Sequence, residues 1–79
     1  MNADDHSAYL EHSEEGRFYA LRRQPTLFGW PSVLASWGGL DNNLGGFQLR
    51  TFDDDEQAEA FIKAKLKEKK RRGYQPPAY

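Results

Sequence analysis

Residues 46–74 read GFQLRTFDDDEQAEAFIKAKLKEKKRRGY, and the period of the apolar pattern changes inside this stretch. From Gly46 to Phe52 the residues alternate. Phe47, Leu49 and Thr51 fall on one side and Gln48, Arg50 and Phe52 on the other, which predicts a strand. From Asp53 the spacing switches to threes and fours: Ala58, Phe61, Ile62, Lys65, Leu66 and Lys69 form one stripe of an amphipathic helix. Asp53, with Glu56 three residues on, has the spacing of a capping box, and Asp54 and Asp55 suit the positive end of a helix. Lys69 to Arg72 suit its negative end, and Gly73 is a natural stop. Two lysines on the stripe keep their ammonium groups in water, so the last turns are expected to leave the core. Tyr74 then either packs back on the core or opens a short final strand.

Outward from this stretch, the preceding segment Gly38 to Gly46 (GGLDNNLGG) combines four glycines with Asp41 and the pair Asn42-Asn43. Such residues tolerate turns, and the segment is too long for a two-residue hairpin, so an open loop is expected. Before it, Ser32 to Trp37 reads as a strand with Val33, Ala35 and Trp37 on one face. Arg17 to Arg23 (RFYALRR) reads as another. Phe18, Ala20 and Arg22 face one way in it, and Tyr19, Leu21 and Arg23 the other. Gln24 to Gly29 connects the two, and Leu27 and Phe28, too apolar for a free loop, are expected to fold back on the core. Residues 1–16 are polar and acidic without a sustained period and read as a disordered tail. Residues 75–79 read as a terminal tail. The predicted class is α+β: a small antiparallel sheet of three to four strands in the order β-β-β-α, with room for a short final strand. A single C-terminal helix covers one face of it. The opposite sheet face then needs polar side chains or a partner.

A chain of 79 residues supports one domain, 17–74 on this reading. It contains no cysteine, which excludes disulfides and cysteine-based zinc sites. No apolar run approaches the ~18–20 residues of a membrane span, and the acidic N-terminus lacks the features of a signal peptide. A cytoplasmic monomer is the expectation. The net charge of −1 conceals an asymmetry. Residues 1–16 hold five acids and no Lys or Arg, whereas 17–79 hold eleven bases against seven acids. In 60–79, seven bases face Glu68 alone. This pattern suggests a basic working surface and an acidic tail that could cover it.

The search for catalytic chemistry is empty. His6 and His12 are spaced so that a helix would put them on different faces, Asp53 to Glu56 read as caps, and Asp41-Asn42-Asn43 lacks the rest of a calcium loop. Neither a GxSxG or HExxH motif nor a phosphate-binding loop with its Lys-Ser/Thr is present. No catalytic residue, cofactor or metal is therefore expected. What remains is cations interleaved with rings, a pattern that neutralises phosphates and stacks on bases. The candidate cations are Arg17, Arg22, Arg23 and Arg50, with Lys63, Lys67, Lys70 and Arg71 from the helix. The candidate rings are Trp37, Phe28, Trp30 and Tyr74.

In order and spacing these pieces resemble a stand-alone WGR domain of bacterial type, similar to that of poly(ADP-ribose) polymerases. The likeness runs through Arg17-Phe18-Tyr19-Ala20-Leu21, Gln24-Pro25-Thr26-Leu27-Phe28-Gly29, Trp37-Gly38-Gly39, Leu49-Arg50-Thr51-Phe52, Ala58 to Ile62, and Arg71-Arg72-Gly73-Tyr74. In those polymerases the domain binds DNA at breaks and relays the contact to a catalytic domain. The resemblance implies that Trp37 packs on a sugar or base near a strand end while surrounding cations hold phosphates. This sequence departs from the pattern at Gly39, where the family has Arg. Arg17 and Arg50 are the candidates to replace that charge. The other expected use is as a protein-interaction module, through the open sheet face and the Trp37 loop.

Overall fold

The computed structural model describes residues 7–24, 28–42 and 44–77. Parts of the tail, connection and loop expectations, at 1–6, 25–27, Asn43 and 78–79, lie outside the described residues. Four strands precede one helix: β1 (Ala8–His12), β2 (Arg17–Arg23), β3 (Ser32–Gly39), β4 (Gly45–Thr51) and α1 (Asp55–Arg71). The strands form one antiparallel sheet in the order β1-β2-β3-β4, and the helix crosses one face. This is the α+β class that the change of period predicts. No helix among the described residues is long and apolar enough to cross a membrane.

Strand β1 corrects the expectation of a disordered tail through residue 16. Ala8–His12 pairs with β2, and Leu10, opposite Tyr19, is only 3% exposed. The strand has five residues and one buried apolar side chain, too short a pattern to register as alternation. Gly16, at φ 64°, lets the chain turn sharply into β2. The tail read at 75–79 is corrected in the same way at Gln75. Its N–H donates to the Glu11 carbonyl at 2.9 Å, and its carbonyl accepts from the Glu11 N–H at 2.8 Å. Tyr74 packs back on the core, and the next residue supplies the bridge.

Register sorts the side chains onto two faces. Leu10, Tyr19, Leu21, Val33 and Ala35 share the face under α1 and form the core with Ala58, Ile62 and Tyr74. A fully buried Leu, Val or Ile contributes roughly 1.5–3 kcal/mol, and Trp37, Phe52, Phe61 and Leu66 pack around these residues. Phe28 is not among them. It is 80% exposed and lies with its ring 6.1 Å from that of Trp30, which corrects the expectation that it folds back. The core side of the sheet is already filled by residues of the strands and helix, and the loop sets its two rings against each other, tilted by 45°, instead.

Both helix ends follow from local chemistry. The cap is Asp54 rather than Asp53: its carboxylate accepts from the Gln57 N–H at 2.9 Å, and the Gln57 side chain accepts from the Asp53 N–H at 3.3 Å. A cap of this kind is worth about 1 kcal/mol. At the other end the Tyr74 N–H donates to the Lys69 carbonyl at 3.0 Å and the Gly73 N–H to that of Lys70 at 3.1 Å, with Gly73 at φ 105°. This reversal needs glycine, and it drives Tyr74 back under the helix. Arg23 pins the first two turns to the sheet through Asp55 at 2.6 Å and Glu59 at 2.7 Å.

Candidate nucleic-acid interface

A cleft of about 360 Å³ lies between the C-terminal half of α1 and the strands. Arg17, Tyr19, Ala35 and Trp37 line it from β2 and β3, Gln48 and Arg50 from β4, and Phe61, Lys65, Lys69 and Tyr74 from the helix side. The cause is the composition of the stripe. Its early positions, Ala58 and Ile62, are buried against the strands, whereas Lys65 and Lys69 occupy positions too costly to bury as charges.

Trp37 is half-buried and held from two sides. It sits opposite Tyr19 on β2 and opposite Gly46 on β4. A Cβ at Gly46 would lie 3.2–3.5 Å from the indole, so the ring covers the glycine and lies across β4. The glycine therefore positions the ring. The loop expected over Gly38 to Gly46 is correspondingly shorter, because Gly38 pairs with Gly45 and the strands reach Gly39 and Gly45. Its tip is tied by Asn42, whose side chain accepts from the Leu44 N–H at 2.9 Å.

The missing motif charge has a neighbour in the right place. Gly39 stands directly opposite Arg17 in the β2–β3 register, and Arg17 lines the cleft. Arg50 enters from the other side, its guanidinium carbon 5.1 Å from the centre of the Phe61 ring. Lys69 reaches over the Tyr19 ring at 4.5 Å and the Tyr74 ring at 5.4 Å. Burial among these rings pushes the Lys69 ammonium below the ordinary lysine range; Glu68 opposes the shift, while Arg72, Lys65 and Arg17 add to it. Burial, with Glu68 beside it, pushes the Tyr19 hydroxyl up, so it stays a neutral donor. Glu68 is the acid at the rim, 3.4 Å from Lys65 and 3.7 Å from Arg72.

Of the residues singled out in the sequence, the fold brings Arg17, Trp37 and Arg50 together, with Gly38 and Gly39 continuing the strand beyond Trp37. Lys63, Lys67, Lys70 and Arg71 are exposed and do not line the cleft. A helical period of 3.6 places Lys63, Lys67 and Lys70 on the side away from Lys65 and Lys69. Arg23 is engaged with Asp55 and Glu59, and Arg22 points to the opposite sheet face. Among the candidate rings, Tyr74 is buried as a wall of the cleft, while Phe28 and Trp30 are exposed on the β2–β3 connection. Composition did not single out Lys65 and Lys69 as contacts. Their signal was present, since a lysine on an otherwise apolar stripe belongs to the face turned toward the sheet.

The WGR domain model matches residues 6–78, and the chain belongs to that family. The match begins before β1 and extends past Gln75, in keeping with the two edge corrections above. The uncharacterized protein y4dW of Sinorhizobium fredii (strain NBRC 101917 / NGR234) is 33% identical over 60 residues, which cover 76% of this chain and 29% of that protein. The chain thus spans less than a third of this relative's length. No solved structure matches.

Proposed function

We propose that this WGR domain is a non-catalytic DNA-binding module that seats a phosphate backbone in the helix–sheet cleft. The observation that carries the reading is the convergence of Arg17, Arg50, Lys65 and Lys69 around Trp37, from three strands and the helix. Cations that close together repel one another, and a polyanion relieves the repulsion. Tyr19 and Gln48 add neutral hydrogen-bonding groups, and the half-buried indole offers an edge on which a sugar or base can pack. Affinity then rests chiefly on charge and the shape of the strand.

Four phosphate contacts predict that log affinity falls with log salt with a slope of roughly −3 to −4, which is about a hundredfold between 50 and 200 mM. An amide-shift titration with a short duplex carrying a recessed, phosphorylated end tests the location. Shifts at Arg17, Trp37, Arg50, Lys65 and Lys69 support the cleft. Shifts confined to Lys63, Lys67, Lys70 and Arg71 would replace it with unspecific attraction to the outer helix.

A further inference from the structure

The two edges of the sheet are finished differently. At the β1 edge, Glu11 exchanges backbone hydrogen bonds with Gln75, and its carboxylate accepts from the Tyr9 hydroxyl at 2.7 Å. At the β4 edge, no described residue pairs with the outer side of Gly45–Thr51. Free edges are commonly blunted by proline, charge or a bulge. β4 contains no proline, and its only charge, Arg50, lies on the helix face over Phe61. On the bare face Phe47 and Leu49 are 75% and 47% exposed, and Leu44, just before the strand, is 77% exposed.

We propose that a second copy of this chain docks on this edge, β4 against β4, antiparallel about a two-fold axis through Gln48. The occupant is argued from self-complementarity. With Gln48 opposite its own copy, Phe47 meets Leu49 across the ladder, two apolar pairs per dimer of the kind that stabilise antiparallel strands. Arg50 meets Gly46, so the two guanidinium groups are set about 14 Å apart along the strands, beyond the screening length of ~8 Å at physiological salt. No like charges oppose each other anywhere in the seven-residue edge. The ladder is smaller than a standard interface of about 800 Å² per partner, which makes the association concentration-dependent rather than permanent. Because the axis is perpendicular to the sheet, both helices lie on one side and both clefts open the same way. The monomer expected from the sequence is the state at low concentration.

Sedimentation equilibrium of the full chain over a wide concentration range tests this. The expected result is a mass rising from 9.1 kDa toward twice that value. Phe47→Lys and Leu49→Glu should each abolish the rise. An equimolar mixture should restore it, because the introduced lysine then faces the introduced glutamate. Far-UV circular dichroism checks that each variant is folded, and the unmodified chain alone decides the first point. A monomer at every concentration overturns the proposal. So does association that survives both substitutions, or a mixture of folded variants that stays monomeric.

Discussion

The two faces of this sheet are made by the same strands, and alternate residues meet different fates. One face carries Leu21 and Val33, at 1% and 0% exposure, under the helix, while the other carries Phe47 at 75%. Phe47 has the larger apolar side chain and is the more exposed, so the size of one apolar side chain does not decide its burial. The helix does, by crossing the face that Tyr19, Leu21, Val33 and Ala35 share. The contrast also teaches where function sits. On the covered face Lys65 and Lys69 interrupt the apolar stripe, and the gap beside them is the basic cleft. The bare face lacks the cluster of lysines and ends in an open strand edge.

The comparison can be broken most forcefully by truncation. Leu21→Ala should cost about 2–5 kcal/mol of stability in urea unfolding, whereas Phe47→Ser at low protein concentration should stay within about 0.5 kcal/mol. Equal costs would mean that the bare face is covered in the monomer. Next in size is the double variant Lys65→Ala/Lys69→Ala. By fluorescence anisotropy it should weaken DNA binding and reduce the salt slope by about two, with Lys63→Ala/Lys67→Ala changing the slope far less. Parity between the pairs would remove the cleft from the account.

A smaller effect of opposite sign is expected at the rim. Glu68→Gln releases Lys65 and Arg72 from their 3.4 and 3.7 Å ion pairs, so it should tighten DNA binding severalfold at low salt. Weaker binding would show that Glu68 orients those cations rather than competing for them. The smallest effect is in pH dependence. Lys69 is held below the ordinary lysine range, chiefly by burial. As pH rises, its charge is therefore lost before that of an ordinary lysine. Affinity should fall through that alkaline window, and Lys69→Arg, which keeps its proton, should flatten the fall. An unchanged profile in the variant would take Lys69 out of the contact.

Much of this molecule could be read locally. The alternation in Arg17–Arg23 assigned Tyr19 and Leu21 to one face, and the register agrees. The stripe from Ala58 to Lys69, the acidic start and the Gly73 stop located the helix within a residue or two, because caps and amphipathic spacing act over single turns. Strand β1 was hidden, since one buried leucine in five residues carries no period. The site was half legible. Trp37, Arg17 and Arg50 were named from their chemistry, but the helix cations were chosen on charge alone, and the exposed Lys63, Lys67, Lys70 and Arg71 were preferred to Lys65 and Lys69.

What the sequence by itself determined was β2, β3, β4 and α1 and the face each residue takes within its own element, because periodicity and capping depend on neighbours a few positions away; β1 emerged only from its pairing with β2. Only the tertiary structure decided which elements lie against one another. Register put Arg17 opposite Gly39 and Gly46 beneath the Trp37 ring, helix docking turned Lys65 and Lys69 into a cleft, and the return of the chain at Gln75 bridged the β1 edge while β4 stayed open. Each of these joins residues far apart in the chain, and their pairing is fixed by the shared burial of a core that no single segment encloses.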